Sequence, residues 1–169
     1  MDKLYQAGNK ETRPNEMTYT AVLNSCAFPA VLDPRTRRKA LDTAIFTLAE
    51  LRASRYGQPN HVTYGTFILA CANLLPRNDE MRRQVLEQAF HQCCTDGQVN
   101  EMVLANLRRA APPDLFHELL PESVHSGRQA ISVEDLPPEW RANVRDRRKT
   151  GPWRGKHSNH IARTERLKP

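Results

Sequence analysis

A fifteen-residue segment occurs twice in this chain, 45 positions apart. That periodicity limits the chain to folds built by stacking copies of one unit. Arg13-Pro14-Asn15-Glu16-Met17-Thr18-Tyr19-Thr20-Ala21-Val22-Leu23-Asn24-Ser25-Cys26-Ala27 is repeated as Gln58-Pro59-Asn60-His61-Val62-Thr63-Tyr64-Gly65-Thr66-Phe67-Ile68-Leu69-Ala70-Cys71-Ala72. Pro, Asn, Thr, Tyr, Cys and Ala recur at matching places, and Met17/Val62 and Val22/Phe67 match in apolar character.

Each unit reads as two helices. Tyr19, Val22, Leu23 and Cys26 follow the i, i+3, i+4, i+7 spacing of a buried helical stripe. The Pro-Asn before them supplies a turn. A second helix is predicted from about Arg35 to Ala53, with Ala40, Leu41, Ala44, Ile45, Leu48 and Leu51 as its stripe. In the next unit Tyr64, Phe67, Ile68, Cys71, Ala72 and Leu75 line a first helix. Asp79 is placed to cap a second helix lined by Met81, Val85, Leu86, Ala89, Phe90 and Cys93, which Gly97 ends. A third unit lacks the Pro-Asn…Thr-Tyr opening: Val99 to Ala110, with Val99, Met102, Val103, Leu107 and Ala110 apolar, then Asp114 to Leu120. A divergent last unit is what the end of a stack calls for.

The pattern predicts an all-α chain, an α-solenoid of antiparallel helix-turn-helix units with a basic, disordered C-terminal tail. The expected divisions are 1–14, the end of a truncated preceding repeat; 15–59, repeat 1; 60–97, repeat 2; 98–121, a degenerate terminal repeat; 122–137, a linker; 138–148, a short helix with Trp140 and Val144 docked on the last repeat; and 149–169, the tail. Met1, Leu4, Tyr5 and Gly8 read as the last turns of a second helix whose partner is missing. The chain is therefore expected to be the C-terminal fragment of a longer array, the alternative being a capping helix.

The opening Pro14-Asn15-Glu16-Met17-Thr18-Tyr19-Thr20, again as Pro59-Asn60-His61-Val62-Thr63-Tyr64-Gly65, resembles the start of a pentatricopeptide repeat. The Ala- and Leu-rich second helices are similar too, and the resemblance covers about residues 1–120. The unit is about ten residues longer than the family's usual 35, and the excess is expected in longer inter-helix loops. The resemblance implies binding of single-stranded RNA at roughly one base per repeat. It also implies a role in RNA processing, stability or translation in a mitochondrion or plastid.

In that family the residue after the Tyr and the last residue of the repeat discriminate the base, and an apolar side chain two residues before the Tyr packs against it. The resemblance thus implies Thr20 and Asn60 as a reading pair, similar to the family's adenine-preferring combination, between walls formed by Met17 and Val62. Asn15 would serve the missing upstream unit. Gly65 takes the reading position of the second unit without a side chain to donate or accept, and Gln98 is the nearest candidate for that unit's last residue. Taken from the residues alone, Thr20 is a small residue near a helix start, Asn60 is a helix N-cap in either case, and Met17 and Val62 pack partly between units. Tyr19 and Tyr64 read as core, and Cys26 and Cys71 as small buried residues. Cys93 and Cys94, beside His91, point about 100° apart on a helix, so they make no tetrahedral metal site.

The formal charge is +6, and its distribution is uneven. Residues 141–169 hold ten Lys/Arg and two Asp/Glu, a net +8; residues 1–140 hold fifteen and seventeen, a net −2. The array itself is slightly acidic. The tail, with Arg145, Arg147, Arg148, Lys149, Arg154 and Lys156 and with Trp140 and Trp153 interleaved, is suited to contact phosphates and stack bases, or else to solubilise the chain. No run of 18 apolar residues would span a membrane. No zinc-deaminase H-x-E with P-C-x-x-C, phosphate loop, nucleophile elbow or HExxH is present. No catalytic activity, cofactor, metal or small-molecule substrate is expected. The competing functions are a protein–protein interaction scaffold of helical repeats and a degenerate remnant without a ligand.

Overall fold

The computed structural model describes residues 14–29, 33–124 and 131–145. The expected remnant at 1–13, part of the linker at 125–130, and the tail from 146 onward with Arg147, Arg148, Lys149, Arg154 and Lys156 lie outside the described residues. Among the described residues the chain is all-α, with six α-helices, three short 3₁₀ turns and no strand. The helices are α1 (Glu16–Ala27), α2 (Pro34–Ala53), α3 (His61–Leu74), α4 (Glu80–Thr95), α5 (Glu101–Ala110) and α6 (Pro113–Glu118). Helix α1 packs on α3 and α3 packs on α5, so alternate helices touch in a row. Helix α2 lies against both α1 and α3, and α4 against both α3 and α5.

The recurring Asn-x-x-Thr is a capping box. Asn15 Oδ1 accepts from Thr18 N–H at 3.0 Å, and Thr18 Oγ1 accepts from Asn15 N–H at 3.4 Å. Asn60 and Thr63 repeat the arrangement at 3.0 and 3.3 Å. Each box satisfies two backbone donors that a helix start leaves unpaired. The Tyr that follows has its own task in the second unit. Tyr64 is fully buried, and its hydroxyl donates to Asp96 Oδ2 at 2.5 Å while accepting from Arg52 Nη1 at 2.6 Å. This joins the ends of α2 and α4 to α3. Burial first, and the Asp96 carboxylate second, push the Tyr64 phenol far above its ordinary range.

Position in the row decides how much of each helix is apolar. Helix α3, between α1 and α5, buries Thr63, Tyr64, Gly65, Phe67, Ile68, Ala70, Cys71 and Leu74, whereas α1 buries only Leu23, Cys26 and Ala27. The apolar stripes predicted from sequence extend too far. Val22, Ile45 and Met102 sit in those stripes yet are exposed.

The predicted longer loops are absent. The connectors between paired helices span only residues 28–33 and 75–79, and the extra length of the first unit lies mainly in the 20-residue α2, against 16 residues in α4. The expected 138–148 helix is a single 3₁₀ turn at Pro138–Arg141. It packs on α4, with Trp140 edge-on to Phe90 at 5.7 Å, and meets the start of the last unit where Val99 N–H donates to the Trp140 carbonyl at 2.8 Å. Within the 122–137 linker Val133 and Leu136 are buried, and Val133 N–H donates to Glu101 at 3.3 Å.

Candidate nucleic-acid interface

The N-terminal turns of α1, α3 and α5 lie along the row and carry a shared design. Asn15, Asn60 and Asn100 are their N-caps, with φ of −127°, −121° and −135° and ψ of 179°, 179° and −179°. Each accepts from the backbone N–H three residues on; for Asn100 the donor is Val103 at 3.0 Å. Asn100, and not Gln98, is thus the structural counterpart of Asn60, and the second unit runs 40 residues rather than 45. The third unit does possess the capping Asn of the motif. It lost the Thr of the box, where Val103 now stands.

Two residues after each cap stands an apolar side chain open to solvent: Met17 (69% exposed), Val62 (41%) and Met102 (37%). Exposure of one such side chain is ordinary, but the same helical position three times along one row forms a ladder. Met102 falls in an apolar stripe predicted to be buried, and the 40-residue offset of its unit sets it outside the 45-residue period.

The predicted reading pair is brought onto one network. Thr20, half-buried, places its Oγ1 3.1 Å from Thr63 Oγ1, and Thr63 Oγ1 donates to Asn60 Oδ1 at 3.2 Å. Asn60 Oδ1 is committed to capping, with Val62 N–H at 2.9 Å and Thr63 N–H at 3.0 Å. Its Nδ2 makes no hydrogen bond among the described residues and is the atom available to a ligand. Asn15 is exposed and similarly committed through its oxygen.

Gly65 departs from this design. It is buried, its carbonyl accepts from Asn106 Nδ2 at 2.9 Å, and a Cβ built on it would stand 2.6 Å from Met102 Cε. The position is used for close packing of α3 on α5, and it offers nothing to a base. Gln98 is also occupied, accepting from His61 N–H at 3.1 Å and donating to the Asn143 carbonyl at 3.1 Å.

Charge is uneven along these helices. Glu16 and Glu101 lie in the N-terminal turns of α1 and α5, Arg108 and Arg109 lie in the last turn of α5, and α3 carries no Asp, Glu, Lys or Arg. Arg145, at the end of the described chain, is exposed and makes no ion pair among the described residues. The four cysteines are unpaired. Burial pushes the Cys71 and Cys94 thiols up to about 12 and raises those of Cys26 and Cys93. No group of three His, Cys, Asp or Glu among the described residues is arranged to hold a metal ion. No described helix is long and apolar enough to cross a membrane.

Comparison with known proteins adds no relative: no family model, curated protein or solved structure matches the chain.

Proposed function

We propose that the chain is a pentatricopeptide-like α-solenoid that binds single-stranded RNA along the N-terminal turns of α1, α3 and α5, in organelle RNA processing, stability or translation. The observation that carries this reading is the threefold recurrence of a capping Asn followed two residues later by an exposed apolar side chain. Bases inserted between successive rungs would gain apolar contact on both faces without sequence preference. Preference would come from the polar groups between the rungs. At the first gap these are the Thr20 hydroxyl and the Asn60 amide. At the second, Gly65 leaves Asn100 alone, so discrimination there is weaker. Glu16 and Glu101 in those N-terminal turns oppose a polyanion, so attraction falls to the basic tail.

A protein-interaction scaffold is the second reading. It is favoured by a cavity of about 400 Å³ between α2 and α4, lined by exposed Ile45 with Leu48, Ala49, Phe67, Val85 and Ala89 among others.

The test is titration of random single-stranded RNA with the full chain and with a chain ending at Arg145. Binding by both supports the helical row as the site. Binding by the full chain alone assigns the affinity to the tail, and binding by neither refutes the RNA reading.

A further inference from the structure

A cleft of about 660 Å³ opens where residues 58–59, 95–98 and 142–145 meet. It borders the start of α3, because Gln98 on its wall accepts from His61 N–H, one residue before the Val62 rung. The walls are fixed in place. Asn143 N–H donates to the Gly97 carbonyl at 2.9 Å, Asn143 Nδ2 donates to the Asp96 carbonyl at 3.0 Å, and Val99 N–H donates to the Trp140 carbonyl at 2.8 Å. Gly97, at φ +65°, permits this approach; a Cβ there would stand 3.0 Å from Asn143 Nδ2.

The lining combines opposite chemistries. Arg145 supplies an exposed guanidinium with no ion pair among the described residues. Asp96 supplies a carboxylate whose Oδ2 is held by Tyr64 and Arg52, while Oδ1 takes no hydrogen bond among the described residues. Arg52, 3.1 Å away, offsets the Asp96 charge, so a nearby anion is not strongly repelled. The carboxylates of an acidic peptide would satisfy Arg145 but offer no donor to Asp96 Oδ1. A nucleotide brings both an anion and a hydroxyl donor.

We propose that this cleft binds one ribonucleotide unit of the strand held by the Met17–Val62–Met102 ladder, its phosphate on Arg145 and its 2′-hydroxyl donating to Asp96 Oδ1. The proposal rests on the RNA-binding reading above and extends it to a site beyond the helical row. The 2′-hydroxyl is the group by which a protein separates RNA from DNA at one position.

The test is photo-crosslinking of the full chain carrying Gln58→p-benzoylphenylalanine, at saturating random single-stranded RNA. Gln58 is exposed on the cleft rim. A second photoprobe at Glu87, on the exposed side of α4, serves as control. The expected result is a crosslink from position 58 and none from 87. Arg145→Gln should lower the position-58 yield severalfold, whereas Lys39→Gln, which removes the same charge on the exposed side of α2, should leave it unchanged. Single-stranded DNA of the same sequence should crosslink less than RNA. RNA binding without a crosslink from position 58 overturns the cleft alone and leaves the ladder standing. Equal yields for Arg145→Gln and Lys39→Gln overturn the phosphate assignment, and equal yields for RNA and DNA overturn the Asp96 assignment. Absence of RNA binding by the unsubstituted chain overturns both the cleft and the reading beneath it.

Discussion

Replacing Arg82 by Met should destabilise the chain far more than replacing its neighbour Arg83 in the same way. Arg82 is only 4% exposed and sits between two helix C-termini. Its Nε donates to the Ala110 carbonyl, the last residue of α5, at 2.8 Å. Its Nη1 donates to the Leu75 carbonyl at 2.7 Å and to the Ala72 carbonyl at 3.4 Å, both at the end of α3. These are carbonyls that a helix end leaves without partners, at the negative end of its dipole. Methionine keeps most of the stem and removes the donors. Two good hydrogen bonds from a charged group are worth about 1.5–3 kcal/mol each, and their loss leaves buried acceptors unsatisfied. Relief of the guanidinium's burial, which lowers its pKa, offsets part of this. The expected net loss is about 3 kcal/mol. In urea unfolding, with a slope of about 1–3 kcal/mol/M, that is a midpoint drop of about 1–3 M. Arg83 binds Asp114 and Glu118, whose side chains are largely exposed, so Arg83→Met should move the midpoint little. If the two variants unfold at similar urea concentrations, Arg82 does not hold α3 and α5 together as described.

Three further outcomes follow from the same contacts. Tyr64→Phe removes the hydroxyl shared by Arg52 and Asp96, and should cost about 1–3 kcal/mol in the same unfolding assay, with helical circular dichroism retained. The Arg83 hydrogen bond holds the Asp114 carboxyl below its ordinary range; its contribution is therefore complete above that range and lost as pH falls through the lowered value, so an acid titration should show the gap between the parent and Asp114→Asn closing at low pH. The raised cysteine thiols should react slowly with a disulfide reagent at pH 8 in the folded chain, and all four should react rapidly in denaturant.

Much of the helical frame is legible in the sequence because it rests on local chemistry. Asp79, Asn60 and Gly97 mark helix ends by capping and by positive φ, and the structure places all three there. The capping boxes of Asn15 and Asn60 are legible because both units keep Asn-x-x-Thr. The cap at Asn100 is not. Its unit is offset by 40 residues, and Val103 replaces the Thr that would have revealed the cap at Asn100. The exposure of Val22, Ile45 and Met102 also escaped, since periodicity finds an apolar face without showing which neighbours cover it. Arg82 recurs from Arg37 at the 45-residue offset, but its role in joining α3 to α5 depends on the Ala110 carbonyl 28 residues away, a separation no local pattern reports. The docking of 131–145 is equally non-local. It depends on Trp140 meeting Phe90 and on Asn143 meeting Gly97, contacts that leave only scattered apolar residues as a trace.

The most direct test of the central claim is selection of randomised single-stranded RNA by the full chain and by Thr20→Ala. The account predicts that the parent enriches a preferred base, adenine, at one position, and that Thr20→Ala flattens that position by roughly fivefold, the equivalent of about 1 kcal/mol for one lost hydrogen bond, while leaving affinity for the pool nearly unchanged. An identical base preference in both proteins would contradict the claim that the gap between Met17 and Val62 reads a base.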